Sequence, residues 1–594
     1  MHNDGKTVVF GFVMISLCIC VSSISLKTPI VKTVYGPVQG QRELSRYGRY
    51  YQSFTGIPFA KPPVGPLRFA APEEPDSWTL PLQATNVTPV CIQRDYLVTY
   101  NPPTEGTEDC LYLNVYTPEV EYRHNKFENK LLPVLVFIHW GGYFAGNSGK
   151  EYLGPDYLMD KDIIVVTFNY RLGVFGFLTT LDDEAPGNYG FKDQVLALKW
   201  VQRNIEYFGG DKNKVTIAGQ SAGAASVHFH LLSSESEGLF HQAISQSGNV
   251  LGPWAFFNET YQKQITFYQA LFTNCGNETT ETKQIIECLR GLPAEEILKT
   301  QDYFKRFFSD PLVVYTSTVE KKSVRNPNPF LIQPPGEYLK KGMFRKVPWI
   351  TGVVKDEGIL KVSNLLRNDN IRNALNNKFV EEISNTLLAL TVSTTDSTTL
   401  YSNISNFYFG GQNKIDINNP NSIQGLIDVY SDRSFIYPLY QSLLLHLYHK
   451  HNPIYLYSFE YKGEYTYGDV FSFTTNDISF SWGTSHCDDL LYLFYTPKYF
   501  NKLEADRDIC MSKYIVEMWT NFVIYGNPNL LDDETQKTSW KPLDTAINKD
   551  NIQGLIHLLN ITGNIKDGID IKGSKSFYKD RINFWKSVDI LENH

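Results

Sequence analysis

Lys214-Val-Thr-Ile-Ala-Gly219-Gln220-Ser221-Ala222-Gly223-Ala224-Ala225-Ser226 is the stretch on which the reading of this chain turns. A run with strand character meets Gly-x-Ser-x-Gly, and small residues suited to starting a helix follow. A serine hydroxyl attacks an ester only when it projects from a tight turn beside a base that takes its proton. Glycines on either side let strand and helix close around such a turn. The segment therefore predicts a strand, a sharp turn carrying Ser221, and a helix, the signature of a serine hydrolase.

Outward from this turn, Leu132-Pro-Val-Leu-Val-Phe-Ile138, Ile163-Ile-Val-Val-Thr-Phe168, Trp349-Ile-Thr-Gly-Val-Val354 and Ile454-Tyr-Leu-Tyr-Ser-Phe459 are short and apolar. That is the composition of central strands buried on both faces. Between them, residues 193–207 place Val195, Leu198 and Val201 at helical spacing, and residues 508–525 do the same with Ile515, Met518 and Phe522 before Gly526-Asn-Pro528. Alternation of this kind indicates an α/β fold built on a mostly parallel sheet with helices on both faces. Residues 364–422 are rich in Asn, Ser and Thr and read as loops and loosely packed helices over that sheet.

The 594 residues carry 42 % hydrophobic and 14 % aromatic side chains, enough for a deep core and a lined pocket. A formal net charge of -8 offers no attraction to nucleic acid. Residues 1–23 hold Lys6, an apolar run from Val8 to Val21 and then Ser22-Ser23, which suits a cleaved signal peptide better than a membrane anchor. The expected product is a secreted chain of one domain, residues 24–594, and its oligomeric state is left open. Export makes disulfides stable. Cys91 with Cys110 and Cys275 with Cys288 would each close a short polar loop, while Cys487 and Cys510 stay unassigned. Sequons at Asn86, Asn258, Asn277, Asn403 and Asn560 predict glycans on surface loops.

An acyl transfer needs preorganised N–H donors for its oxyanion. His139-Trp140-Gly141-Gly142-Tyr143 follows a buried strand with glycines where two donors would sit, and the N–H of Ala222, next to the nucleophile, supplies a third. For the base, the histidines at 228, 230 and 446–451 read as core or surface, whereas His486 lies in the polar loop Gly483-Thr-Ser-His486-Cys-Asp-Asp489. Glu357, just beyond a strand in Gly352-Val-Val-Lys-Asp-Glu357-Gly358, is the acid that would orient it, with Asp356 the rival.

Several ordered motifs now converge. Phe54-Thr-Gly-Ile-Pro-Phe-Ala-Lys-Pro-Pro63, Glu108-Asp-Cys-Leu-Tyr-Leu-Asn-Val-Tyr116, Asn169-Tyr-Arg-Leu-Gly173, Gly187-Asn-Tyr-Gly-Phe-Lys-Asp-Gln194, Phe208-Gly-Gly-Asp211 and Trp519-Thr-Asn-Phe-Val-Ile-Tyr-Gly-Asn-Pro-Asn529 resemble the type-B carboxylesterase/cholinesterase family over nearly the whole mature length. The resemblance implies an α/β-hydrolase fold and a cofactor-free, metal-free esterase acting on a small-molecule ester. It implies the triad Ser221, Glu357 and His486 and the oxyanion hole Gly141, Gly142 and Ala222. Both short disulfides match the family's pattern, Arg68, Glu108, Arg171 and Asp193 look like its structural ion pairs, and Ser247 and Trp254 resemble positions behind the triad and along the acyl pocket.

Departures narrow the substrate. Trp140 stands where the family has a glycine, adding bulk beside the acyl site. Gln220 replaces the cholinesterase glutamate, and Tyr100 stands in place of the tryptophan that stacks on choline. Both weaken a quaternary-ammonium site and favour a neutral ester. Gln220 and Gly483-x-x-His486-x-x-Asp489 are similar to juvenile-hormone esterases, although other secreted invertebrate esterases share them. A non-catalytic adhesion protein on the same scaffold is the alternative of another class, disfavoured because all three triad positions are filled.

Overall fold

The computed structural model describes residues 28–99, 101–119, 131–367, 369–379, 382–383, 388, 397–472, 481–529, 539–544 and 557–590. The 1–23 leader, Tyr100 and much of the segment between Phe471 and Trp482 lie outside them.

Among the described residues the frame is one eleven-stranded sheet. Its strands are β1 (Gln41–Leu44), β2 (Tyr50–Pro58), β3 (Tyr112–Pro118), β4 (Leu132–Ile138), β5 (Ile164–Phe168), β6 (Gly210–Gln220), β7 (Gln242–Gln246), β8 (Trp349–Val354), β9 (Ile454–Phe459), β10 (Leu558–Asn564) and β11 (Gly568–Ser574). They lie in the order β11-β10-β9-β8-β7-β6-β4-β5-β3-β2-β1. From β10 through β5 every pairing is parallel; antiparallel strands complete both edges. A second, three-stranded sheet joins Ile30–Lys32, Pro37–Gln39 and Leu82–Gln83.

Side-chain alternation divides the core between the two faces of the sheet. Val134, Val136 and Ile138 of β4 enter one cluster with Ile217, Ala243, Trp349 and Leu456. Leu135 and Phe137 enter the other with Ala218, Ile244, Ile350, Tyr457 and Trp519. The main helices are α1 (Tyr189–Asn204), α2 (Ala222–Leu232), α3 (Glu259–Phe272), α4 (Thr282–Gly291), α5 (Pro420–Ser431), α6 (Tyr437–Tyr448), α7 (Asp506–Tyr525) and α8 (Lys579–Ser587). The Asn-rich region departs from the expectation of loose packing. Its helices Asp369–Asn377 and Ser397–Phe409 bury Ile371, Leu375, Leu400 and Ile404 in the first cluster. Composition registers their polar outer faces and misses the regular apolar inner stripe.

Both short disulfides are present, Cys91–Cys110 and Cys275–Cys288, while Cys487 and Cys510 are free thiols. Arg171 grips Asp193 with two hydrogen bonds of 2.7 and 2.8 Å, and Arg68 Nε donates to Glu108 Oε1 at 2.7 Å. Asn86, Asn258, Asn277 and Asn403 are exposed, but Asn403 lies on a helix. Asn560 corrects the surface-loop expectation more sharply: it is a half-buried residue of β10 whose side-chain carbonyl oxygen is buried without a partner.

His228, His446 and His451 are core residues joined in a line. His228 Nε2 lies 2.9 Å from His446 Nε2, His446 Nδ1 lies 2.9 Å from His451 Nδ1, and His451 Nε2 lies 2.6 Å from the Val347 carbonyl. One set of neutral tautomers satisfies the line, with each ring donating towards Val347.

Candidate active site

The chain leaves β4 for β5 on one side, then crosses back so that β6 pairs with β4 on the other. Loops leaving the carboxyl ends of β4 and β6 therefore diverge, and the crevice between them is where α/β sheets hold their ligands. Ile138, the last residue of β4, pairs with Gly219, two residues before Ser221.

Ser221 sits at that point with φ 56° and ψ -120°, a conformation costly for any residue with a Cβ. Its N–H donates to the Gln246 carbonyl at 2.8 Å, and its own carbonyl accepts from Ala225 N–H at 2.9 Å as α2 begins. The flanking glycines are dictated by contact: a Cβ on Gly219 would lie 2.4 Å from the Gly223 carbonyl, and one on Gly223 would lie 2.1 Å from the Ile138 carbonyl oxygen. Strand, helix and the end of β4 meet backbone to backbone.

Beyond β4 the chain turns sharply. Gly141, at φ 119°, accepts from the N–H groups of Phe144 and Ala145, and a Cβ there would lie 2.0 Å from the Ala145 carbonyl oxygen. Gly142 follows at φ 60°. Among the described residues the N–H groups of Gly141, Gly142 and Ala222 donate to no protein acceptor. N–H groups left without a protein acceptor, on the loops that leave β4 and β6, are the kind of donors an oxyanion requires.

Two strands further on, β8 ends at Val354 and Glu357 turns back beneath it. Its Oε1 accepts from Val354 N–H at 3.0 Å, and its Oε2 receives the Nδ1 of His486 in a short contact. Asp356 serves the histidine loop instead. Its Oδ2 accepts from Thr484 N–H at 3.2 Å and its own N–H donates to the Thr484 carbonyl at 3.0 Å, pinning that loop to the end of β8. Of the two acids, Glu357 is the one that contacts His486. Asp488 caps the same loop, accepting from Ser485 N–H, Tyr467 N–H and Thr466 O–H at 2.7–2.8 Å. Asp489 Oδ2 accepts from Gln246 and Tyr457, both at 2.8 Å. Burial raises both of these carboxyls, Asp488 well above the ordinary carboxylate range.

The other face of His486 is closed by Phe435, with ring centroids 4.8 Å apart. Phe435 belongs to one turn of π-helix, Asp432–Ile436, between α5 and α6. The Ser431 hydroxyl accepts from Gly358 N–H at 2.8 Å, beside Glu357, and Asp432 is held by Arg581 of α8 at 2.6 Å. Neither Phe435 nor Arg581 announces itself in the sequence, since an i→i+5 turn carries no compositional mark.

The pocket candidates divide. Trp140 is buried against Tyr152 and Tyr467 in the second cluster. Trp254 is half-buried, its indole N–H donating to the Ser434 carbonyl at 3.0 Å and its ring 5.8 Å from that of Phe435. Ser247 follows β7 at φ 57°, its N–H donating to the Gly352 carbonyl at 2.9 Å and its hydroxyl buried without a partner. Gln220 is fully buried: its Nε2 lies 3.1 Å from His486 Nε2 and its Oε1 lies 3.2 Å from Cys487 Sγ.

A model of the "Carboxylesterase family" matches residues 27–568. A juvenile hormone esterase of Tribolium castaneum is 50 % identical over 570 residues, covering 95 % of this chain and 94 % of that protein. Venom carboxylesterase-6 of Apis mellifera is 33 % identical over 573 residues, covering 96 % and 95 %. Among solved structures, juvenile hormone esterase from Manduca sexta with OTFP covalently attached superposes with a TM-score of 0.78 at 30 % identity, covering 94 % of this chain and 99 % of that one.

Proposed function

Since the chain belongs to the carboxylesterase family, and is a carboxylic ester hydrolase of the α/β-hydrolase fold, we propose that it is a secreted enzyme that cleaves neutral carboxylic esters through Ser221, His486 and Glu357. The observation that carries this reading is the Glu357–His486 contact set beside a serine on a strained turn. Ser221 Oγ attacks the ester carbonyl as its proton passes to His486 Nε2, and Glu357, on Nδ1, fixes the tautomer and stabilises the imidazolium. The N–H groups of Gly141, Gly142 and Ala222 take the developing oxyanion. His486 returns the proton to the departing alkoxide, leaving an acyl-enzyme. Water, deprotonated by the same histidine, then attacks the acyl carbon and releases Ser221.

The neutral carboxamide of Gln220 supports a neutral over a cationic substrate, because no carboxylate stands at the position before the nucleophile. The similarity to juvenile hormone esterases of two insects favours a finer reading, that the physiological ester is a juvenile hormone. Among the described residues no helix is long and apolar enough to cross a membrane. Secretion rests on the 1–23 leader and on glycan acceptors at Asn86, Asn258, Asn277 and Asn403.

The test is hydrolysis of neutral aryl and alkyl esters, choline esters and juvenile hormone by the purified chain, with an active-site phosphonate as titrant. Turnover of neutral esters, lost on stoichiometric labelling of Ser221, is the expected result. A folded sample that neither turns over nor labels would overturn the triad. A juvenile hormone kcat/KM no higher than that of simple esters would remove the finer reading alone.

A further inference from the structure

We infer that Gln220 is a positioning residue for His486, oriented in turn by the thiol of Cys487, so that its amide N–H rests on the lone pair of Nε2. The inference deepens the triad reading above and rests on it.

The orientation of the carboxamide follows from its two neighbours. A carbonyl oxygen only accepts, and the group 3.2 Å from Oε1 is the Cys487 thiol, which has a hydrogen to give and which burial keeps protonated. That places the amide nitrogen towards the imidazole, 3.1 Å from Nε2. Independently, Nδ1 faces a carboxylate oxygen of Glu357 and so carries a ring hydrogen, which makes Nε2 the acceptor of the neutral ring. The two assignments agree: with the ring hydrogen on Nδ1, the neutral imidazole presents its Nε2 lone pair to the Gln220 amide. Among the described residues Ser221 Oγ makes no hydrogen bond, so in this resting arrangement the partner of Nε2 is the amide and not the serine.

Two consequences follow. The amide locks the base in the form able to receive a proton. Once Nε2 is protonated, its N–H confronts an N–H of the amide, a repulsion that favours passing the proton on to the leaving alkoxide. The other titratable groups around the ring are Glu357 on Nδ1, Asp489 bound to Gln246 and Tyr457, Asp488 within its loop, and Asp356 tied to Thr484; Phe435 covers the open face and does not titrate. None of them hydrogen-bonds Nε2.

The experiment is the pH dependence of kcat/KM for a neutral aryl ester, compared across wild type, Gln220→Glu, Cys487→Ala and Cys487→Ser, with phosphonate titration giving the concentration of competent enzyme. A carboxylate facing Nε2 stabilises the imidazolium, so Gln220→Glu moves the acid limb up by about one pH unit. Cys487→Ala frees the amide to turn its carbonyl to Nε2–H and moves the limb in the same direction by a smaller amount. Cys487→Ser, which keeps an O–H donor for the carbonyl, restores the wild-type position. A packing role for Gln220 would lower the rate in these variants and leave the limb in place, and a limb unmoved in both Gln220→Glu and Cys487→Ala overturns the inference. If Gln220→Glu does not fold, the contrast between the alanine and serine variants at 487 decides alone. Failure of the wild type to label would instead refute the triad itself.

Discussion

The proposed triad confines its chemistry to single side chains, and substitutions at Ser221, Glu357 and Asp356 test it. Ser221→Ala removes only an oxygen, so the fold is expected to survive with an unchanged unfolding midpoint while kcat/KM falls by at least about 10⁴-fold. Residual turnover within about tenfold of wild type would reassign the nucleophile. Glu357→Gln leaves the hydrogen bond geometry but removes the charge that fixes the Nδ1–H tautomer, and a loss of about 10⁴-fold in kcat is expected. Asp356→Asn can still accept from Thr484 N–H and should cost far less, about tenfold or under. Equal losses in the two variants would mean that the acid has been misassigned. The three catalytic candidates are legible in the sequence because a motif, a loop and a strand end each restrict where such a residue can stand. Phe435 is not, because its contact with His486 exists only through the π turn. The part played by Cys487 is equally hidden, since its thiol meets Gln220 across 267 positions of chain.

At the scale of elements, the central strands are readable because both their faces are buried, which leaves an uninterrupted apolar run. The edge hairpin of β1 and β2 is not, since its residues alternate or face water, and β6 begins before the apolar stretch that reveals it. Element junctions also carry measurable energy. Asp193 of α1 and Arg171 beyond β5 are both buried, so Asp193→Ala strands a guanidinium and is expected to cost about 3–5 kcal/mol. A change in urea midpoint equivalent to less than about 1 kcal/mol would refute that weight. The histidine line linking α2, α6 and the approach to β8 makes a prediction in pH. Burial lowers His228 to about 3 and His451 to about 4, from an ordinary 6.5, and holds His446 well below it. As pH falls through 6.5 the unfolded chain takes up these protons and the fold does not. The stabilisation is therefore complete above that value and drains away below it, towards about 4, by up to about 1.4 kcal/mol per pH unit for each ring. Unfolding midpoints measured from about pH 7.5 to about pH 4.5 should fall, and replacing His446 by glutamine should flatten the slope.

Across the whole molecule, the two disulfides close loops with sequence separations of 19 and 13 residues, for which chain entropy gives about 3 kcal/mol each. Replacing Cys275 and Cys288 together by serine is expected to lower the unfolding midpoint while leaving kcat unchanged, because that loop is remote in the chain from the proposed triad and, among the described residues, makes no hydrogen bond to any of its members. A fall in kcat at temperatures well below the midpoint would contradict this separation of roles.

The ion pair between Arg581 and Asp432 joins groups 149 residues apart, and the later of them lies on α8. The turn that backs His486 is thus secured by a segment that leaves the ribosome long after Ser221, Glu357 and His486 have all emerged. During synthesis Ser221 exists for most of its early life without a seated partner. On the proposed triad, the base gains its backing only once α8, the last of the described helices, has docked, a delay written into chain order.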